Sequence, residues 1–541
     1  MAKSSPSSSI EINAGFKRAL ELMENSSGHI FITGKAGTGK STLLEYFRST
    51  TVKNTAVLAP TGVAALNVKG QTIHSFCRFK PDITLDKVRK ISGRRKSLVE
   101  NLDTVIVDEI SMVRADLFDC IEKFFRLNGP HPNVLFGGVQ MILIGDLYQL
   151  PPVVTSAEKG IFNSRYETPY FFSAAVFNEP GFQMEFMELE KVYRQTDFEF
   201  LALLNAVRNR SIGEAELVRL NERVDPNFVP PEDEFYITLT STNDLAFRHN
   251  TETLERLPGE PITIEGYVEG EFDRTSFPTD EVLKLKPGAQ IMLVNNDMQK
   301  RWVNGSLGKI VEIHPETYGD TRLIVELESG KEVEVGPHVW EMFRYEIDVT
   351  TGKIFTEPVG AFTQYPVRLA WAVTIHKSQG KTFDRVVIDI GRGTFAHGQM
   401  YVALSRCTRM EGIVLRKPLR KAHIRMDFRV VRFLTRYQYD LAEEKQSYED
   451  KYDLILSAVQ NSTDLDIVYL KTDDTKTRRR ISPEAIEMMT YMEREFEGVV
   501  ARCHKRMAHR VFRIDRMLSV QPMNEALKNK RPPGPPKHPV R

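Results

Sequence analysis

Cysteine is scarce in this chain, and an excess of either charge is almost absent. Four cysteines, Cys77, Cys120, Cys407 and Cys503, stand singly among 541 residues. They form no C-x-x-C pair, which argues against a zinc site and a disulfide framework and fits a reducing cytoplasm. Lys and Arg number 73 against 72 Asp and Glu, a net charge of +1. The chain is therefore no polycation, and a surface for a polyanion has to be a local patch. No apolar run approaches the ~18 residues of a membrane helix. The N-terminus, Met1-Ala2-Lys3 and then Ser/Pro-rich, lacks the apolar core of a signal peptide and reads as a disordered leader over residues 1–12. What remains is a globular composition, 41% hydrophobic and 27% charged, with length for three or four domains.

The most informative stretch that is present is Gly34-Lys35-Ala36-Gly37-Thr38-Gly39-Lys40-Ser41, the phosphate-loop pattern G-x-x-x-x-G-K-[ST]. It follows the apolar run His29–Thr33 and opens the periodic run Leu43, Leu44, Tyr46, Phe47, so it sits between a strand and a helix. Glycines there let backbone N–H groups, from Ala36 through Thr42, close on phosphate oxygens at a helix N-terminus. Lys40 is expected to reach the β- and γ-phosphates, and the Ser41 hydroxyl to ligate magnesium. A second apolar run, Thr104–Val107, ends in Asp108-Glu109, and ligands of open α/β sheets gather at the carboxyl ends of strands. Asp108 is placed to hold magnesium and Glu109 to polarise a water. A third run, Met141–Ile144, leads through Gly145-Asp146 to Gln149, an amide able to donate to phosphate and accept from water at once.

Five further segments fall in a definite order: Ala59–Leu66, Gly70–Phe76, Phe136-Gly137-Gly138-Val139-Gln140, Trp371–Gly380 and Tyr401–Arg406. With them the chain closely resembles superfamily 1 DNA helicases of the 5′-to-3′ class, above all the petite-integration-frequency (Pif) family, cousins of RecD. The resemblance covers about residues 20 to 435. It implies an α/β fold with two RecA-like P-loop domains, ATP and magnesium in the cleft between them, and roles in DNA repair and recombination. It implies two arginines at the γ-phosphate, Arg194 in Lys191-Val192-Tyr193-Arg194-Gln195 and Arg406 in Ala403-Leu404-Ser405-Arg406, together with Gly380 at the nucleotide. Relatives often carry a Gln ahead of the phosphate loop that reads adenine. No Gln precedes Gln71 here, and Asn13 lies in about the right region.

The same resemblance implies a single-strand track on each motor domain. Pro60, Thr61, Gly62 and His74 would serve on the first, and Asn243, Thr374, His376 and Lys377 on the second. Such contacts position a strand without reading its sequence. Residues 77–100 carry Arg78, Lys80, Lys87, Arg89, Lys90, Arg94, Arg95 and Lys96. That segment is either a duplex-splitting wedge of the kind relatives have or a solvated basic loop. Leu323, Val325 and Leu327, then Ser329-Gly330, then Val333 and Val335 predict a hairpin of period two within a β insert over 303–366, which the resemblance implies is SH3-like. Phe200, Leu203, Leu204 and Val207 predict a helix with a core stripe.

The segment Asp466–Leu470, the Arg478-Arg479-Arg480 turn with Pro483, and Phe512-Arg513-Ile514-Asp515-Arg516 resemble a WYL domain, a small β-rich module of bacterial regulators and some helicases. From residue 500 onward eleven basic residues face only Asp515 and Glu525. Arg502, Arg506 and Arg513 are the candidates for a strand-binding face, the alternative being a solvated basic strand. The expected layout is a first RecA-like domain over 13–190, a second over 191–302 and 367–438, a linker over 439–460, the WYL-like domain over 461–525 and a disordered basic tail over 526–541.

Two activities fit these residues. One is a monomeric bacterial motor, cytoplasmic and nucleoid-associated, that runs 5′ to 3′ on single-stranded DNA and opens duplex or G-quadruplex structures. The other is a nucleotide-dependent switch with a WYL sensor, or a RecD-like subunit of a larger complex. Glu109 argues for turnover, because a switch has no need of it.

Overall fold

The computed structural model describes residues 12–155, 158–193, 197–315, 321–391, 393, 396–472, 475–491 and 494–523. The expected leader (but for Ile12), the basic tail and Arg194 lie outside the described residues. The chain divides into two compact units after Met426.

The first unit opens with helix α1 (Ala14–Asn25), strand β1 (His29–Gly34) and helix α2 (Lys40–Thr50). Strands β2 (Thr55–Ala59), β3 (Gln71–Thr72), β4 (Thr104–Val107), β5 (Gln140–Gly145) and β6 (Met184–Leu189) follow. All six form one parallel sheet in the order β3-β2-β4-β5-β1-β6. Side chains alternate across β1, so its two faces enter two different cores. Ile30 and Ile32 pack with Phe16, Met23, Leu43 and Phe47 of α1 and α2. Phe31 turns to the other face, against the rings of Phe171 and Phe186 at 5.5 and 5.8 Å. Burial on both faces is why these strands read as unbroken apolar runs.

A second parallel sheet has four strands, in the order Ala372–Thr374, Ile237–Thr240, Val386–Asp389, Ile413–Leu415. The predicted helix forms over Phe198–Arg208, with Phe200, Leu203, Leu204 and Val207 all buried. The β insert is larger than 303–366. Strands Ile262–Glu265 and Val282–Leu285 pair antiparallel. Strands Gln290–Leu293 and Val367–Leu369 belong to a five-stranded antiparallel sheet with Leu307–His314, Arg322–Leu327 and Glu332–Val335. The second motor domain thus loses 262–302 and 367–369 to the insert, because Leu283, Leu285, Ile291 and Val367 share its core with Ile310 and Val325. Within it the predicted hairpin forms, with Leu323 opposite Val335 and Val325 opposite Val333.

A long hairpin, His338–Ile347 with Ile354–Gln364, leaves the insert and reaches the first sheet. Tyr345 is its anchor. Its Oη accepts the Val57 N–H at 2.7 Å and its own N–H donates to Gln71 Oε1 at 3.2 Å. Helix Arg94–Glu100, the folded part of the basic segment 77–100, packs beside it.

The second unit begins with helices Phe428–Lys445 and Tyr448–Gln460 and continues as a five-stranded antiparallel sheet over Leu465–Pro522. The segment 439–460 is therefore not a linker, and 427–438 lies outside the second motor domain. Ile455 and Ala458 enter the core with Ile467, Ile481, Val499 and Phe512. Ser447 and Asp450 form a capping box that starts the second helix inside a run whose charge suggests a loop. Among the described residues no helix is long and apolar enough to cross a membrane.

Candidate active site

The phosphate loop joins β1 to α2 and needs its glycines. Gly37 and Gly39 have φ of +79° and +85°, the left-handed region that other residues adopt only with strain. A Cβ on Gly34 would lie 2.5 Å from Thr38 Oγ1 and 2.9 Å from the Leu189 carbonyl oxygen, so the loop closes against β6 only with glycine there. Thr38 Oγ1 donates to the Lys35 carbonyl at 2.9 Å, and Lys40 Nζ to the Gly34 and Lys35 carbonyls at 2.7 and 3.1 Å. No side chain caps α2, and Ser41 and Thr42 are exposed in its first turn. Uncapped N–H groups beside a cation are what a chain of phosphates requires.

Asp108 and Glu109 stand side by side after β4, with Glu109 at φ +49°. Burial pushes the Glu109 carboxyl upward and Asp108 pushes it further, against the opposing fields of Lys40 and Arg406. Burial also raises Asp108, while the Glu109 N–H and Lys40 oppose it. Burial lowers Lys40 in turn, and Asp146, Glu109 and Asp108 oppose that. Two crowded carboxylates within the field of the phosphate-loop Lys40, with the Ser41 hydroxyl exposed in that loop, are of the chemistry that takes a divalent cation. No cluster of three or more His, Cys, Asp or Glu able to hold a metal exists among the described residues.

The second motor domain closes on this set. Ala36 N–H donates to Tyr401 Oη at 3.0 Å. Gln379 Nε2 donates to Gln149 Oε1 at 3.1 Å. Gly398, at φ +71°, lies so near that a Cβ there would meet the Tyr148 and Gln149 carbonyl oxygens at 2.3 Å. Arg406 is 1% exposed, its guanidinium fixed by the Val402, Ser378 and Lys381 carbonyls and Ser405 Oγ. Gly380 follows Gln379 with φ +77°.

Asn13 does not face the loop directly. Its Oδ1 caps α1 by accepting the Phe16 N–H, and its Nδ2 donates to Tyr193 Oη at 2.7 Å, while the Tyr193 N–H donates to the Gly37 carbonyl. Arg208, which no motif marks, is the functional candidate that sequence reasoning misses. It is 5% exposed and pairs with the buried Asp146 at 3.5 Å.

The strand candidates divide between surface and interior. Pro60, Thr61 and Gly62 follow β2, where Thr61 caps a short helix by accepting the Ala64 N–H. The turn Arg274–Ser276 of the insert lies directly over Gly62, where a Cβ would meet Ser276 Oγ at 1.9 Å. His74 and His376 are half-buried, and burial lowers both imidazoles. Lys377 and Asn243 are exposed. Thr374 is 3% exposed, and its Oγ1 accepts the Lys377 N–H in the turn that carries Lys377. Arg368 and Asp280 act on Lys377, and Arg368 also acts on Lys381, whose Nζ donates to Asn304 Oδ1 at 2.5 Å. In the second unit Arg502 and Arg506 are exposed. Arg513 is gripped by Asp515 at 3.0 and 2.5 Å and lies over the Phe496 ring.

A family model described as PIF1-like helicase matches residues 11–214, and a WYL domain model matches residues 450–522. The ATP-dependent DNA helicase Pif1 of Bdellovibrio bacteriovorus is 32% identical over 421 residues, which cover 76% of this chain and 89% of that protein. The chain belongs to the PIF1-like helicase family. The ATP-dependent DNA helicase PIF1 of Danio rerio is 35% identical over 402 residues, 72% of this chain; the match spans only 58% of that longer protein. The crystal structure of Bacteroides sp Pif1 in complex with ADP-AlF4 superposes with a TM-score of 0.73 at 34% identity, covering 80% of this chain and 98% of that one. The two parallel sheets are thus the RecA-like pair of PIF1-like helicases, and the C-terminal sheet is a WYL domain.

Proposed function

We propose that this chain is an ATP-dependent DNA helicase that moves 5′ to 3′ along single-stranded DNA and opens duplex or folded DNA, G-quadruplexes included. The observation that carries the reading is the closed catalytic set. A phosphate loop, two carboxylates and a glutamine from one motor domain meet an arginine and a glutamine from the other. A triphosphate docks on the uncapped start of α2, with Lys40 drawn from the loop carbonyls to the phosphates. Ser41 and Asp108 would hold magnesium, which would supply charge neutralisation to the phosphates. Glu109, whose pKa burial has raised, takes the proton of the attacking water. Gln149 orients that water, and Arg406, with Arg194, balances the charge of the transferred phosphoryl group.

Gln379 lies two residues from Lys377, so hydrolysis at Gln149 and grip on the strand share one short segment. Lys377, His376 and Asn243 on one side, and Thr61 and His74 on the other, alternate their hold as the cleft opens and closes. The exposed Arg502 and Arg506 of the WYL domain add a strand-holding face. The chain works as a monomer in the cytoplasm.

The test is steady-state ATP hydrolysis with and without single-stranded DNA, for wild type and Glu109→Gln. Strong stimulation by DNA that vanishes in the variant supports a strand-coupled motor. Hydrolysis indifferent to DNA, or unchanged by Glu109→Gln, overturns it.

A further inference from the structure

Arg208 ends helix Phe198–Arg208, and its side chain is 4% exposed. Its guanidinium stacks on the Tyr148 ring at 3.8 Å and pairs through Nη2 with Asp146 Oδ1 at 3.5 Å. Nη1 donates to Asn209 Oδ1 at 3.3 Å. Nε has no acceptor among the described residues. A buried cation with one long ion pair and an orphan donor is costly to keep. Against its burial, Asp146 leads the groups that hold the guanidinium in its charged form. Burial lowers the pKa of Lys35 and Lys40 in the phosphate loop and the field of Arg208 adds to that, while Asp146 opposes it at both.

The acid it holds leads to the hydrolytic centre. Asp146 is 1% exposed; Oδ1 accepts the Tyr148 N–H at 3.1 Å, and Oδ2 lies 3.5 Å from Gln149 Nε2. The other end of the Gln149 amide accepts from Gln379. Its carboxamide is therefore gripped at the nitrogen by Asp146 and at the oxygen by Gln379, and Arg208 holds Asp146 from behind. The structural alternative is an ion pair that only ties the helix end to β5, where a helix C-terminus favours a cation in any case. That alternative gives no account of the chain from Asp146 through the Gln149 amide to Gln379 that Arg208 closes.

We infer that Arg208 is a positioning residue of the hydrolytic centre: it orients the Asp146 carboxylate, and Asp146 together with Gln379 sets the Gln149 amide for the attacking water. The inference rests on the hydrolytic reading above and deepens it.

The test compares Arg208→Gln, Arg208→Lys, Asp146→Asn and the Arg208→Gln/Asp146→Asn pair in the full chain. Readouts are kcat and KM for DNA-stimulated hydrolysis, affinity for a fluorescent ADP analogue, and melting temperature. Arg208→Gln is expected to lower kcat by about 10²-fold, the size of losing one preorganised group at a transition state. KM and ADP affinity should stay within about threefold, because the bound nucleotide itself is not touched. Asp146→Asn should match it, the pair should be no worse than either single, and Arg208→Lys should recover part of kcat. Should Arg208→Gln not fold, Asp146→Asn and Arg208→Lys carry the same comparison. A loss confined to KM, an additive pair, or a kcat loss that follows the melting temperature overturns the inference. A wild type that does not hydrolyse ATP removes the hydrolytic reading and this inference with it. A wild type that does, beside an unchanged Arg208→Gln, removes this inference alone.

Discussion

Gln149 and Gln379 meet side chain to side chain, with Gln379 Nε2 donating to Gln149 Oε1 at 3.1 Å. One follows the strand Gln140–Gly145 of the first motor sheet. The other follows Ala372–Thr374 of the second, next to the residues placed to hold DNA. Replacing Gln379 by Leu removes the donor and keeps the bulk. The expected outcome is DNA-stimulated kcat lowered by about tenfold, as for a neutral hydrogen bond worth ~1 kcal/mol or a little more. Affinity for DNA should be little changed. Hydrolysis rates across a DNA titration check both; an unaltered stimulation contradicts the link.

The close approach at Gly398 gives a second route to the same cleft. An alanine there would place Cβ 2.3 Å from the Tyr148 and Gln149 carbonyl oxygens, at a φ of +71°. Gly398→Ala should hold the cleft ajar, so kcat falls at least about tenfold, the size of effect a small misplacement of reacting groups has elsewhere. Nucleotide binding to the first domain should persist. Equilibrium binding of a fluorescent ADP analogue beside kcat separates the two.

Strand affinity should depend on pH through Lys381. Burial, with Arg368 beside it, pushes its pKa down to about 8. A depressed lysine is charged below that value and neutral above it, so the positive charge it adds near Arg368 is present at pH 7 and lost as pH rises through 8. Single-stranded DNA should bind about fivefold more weakly at pH 9 than at pH 7 in ~0.1 M salt, the cost of one phosphate contact. Lys381→Arg, charged throughout, should flatten the profile. Fluorescence anisotropy at the two pH values is the measurement, and equal slopes for both proteins would contradict it.

The WYL domain should contribute to strand binding through its exposed arginines. Arg502→Ala/Arg506→Ala in the full chain should weaken binding and make the slope of log affinity against log salt shallower by about 1.4, two phosphate contacts on a single strand. An unchanged slope would leave those side chains as solvated surface.

The helix Tyr448–Gln460 offers a stability test. Ile455 is fully buried against Leu465, Ile467 and Val499. Ile455→Ala should cost ~2–5 kcal/mol, as core truncations to alanine do. Calorimetry should show the C-terminal unit melting earlier with the motor transition in place. A neutral substitution would mean that 439–460 is a linker after all.

The parts of this molecule that sequence exposes are those where chemistry is tied to local backbone. The phosphate loop is legible because its glycines, lysine and serine act within eight residues of one another, and Asp108 and Gln149 because they end runs buried on both faces. The hairpin around Ser329-Gly330 is legible because one face is apolar and the other charged. The insert's true extent is not. Val282–Leu285 and Gln290–Leu293 flank the Pro287-Gly288 turn, and Gln290–Leu293 pairs with Val367–Leu369 across the whole of the expected insert. The helix Tyr448–Gln460 hides behind the charge of its first turn. Arg208 is invisible for a different reason: one arginine at a helix end looks like any other until Asp146 and the phosphate loop are folded against it. Thr374 shows the converse, a motif residue whose hydroxyl is spent inside the turn it shapes.

The central claim is directional unwinding, and strand displacement tests it most directly. Purified full-length chain with ATP and magnesium is mixed with duplexes carrying either a 5′ or a 3′ single-stranded tail, with Glu109→Gln as the control. The account predicts displacement of the 5′-tailed duplex alone, lost in the variant. Displacement from the 3′ tail, or none from either while DNA still stimulates hydrolysis, would contradict it.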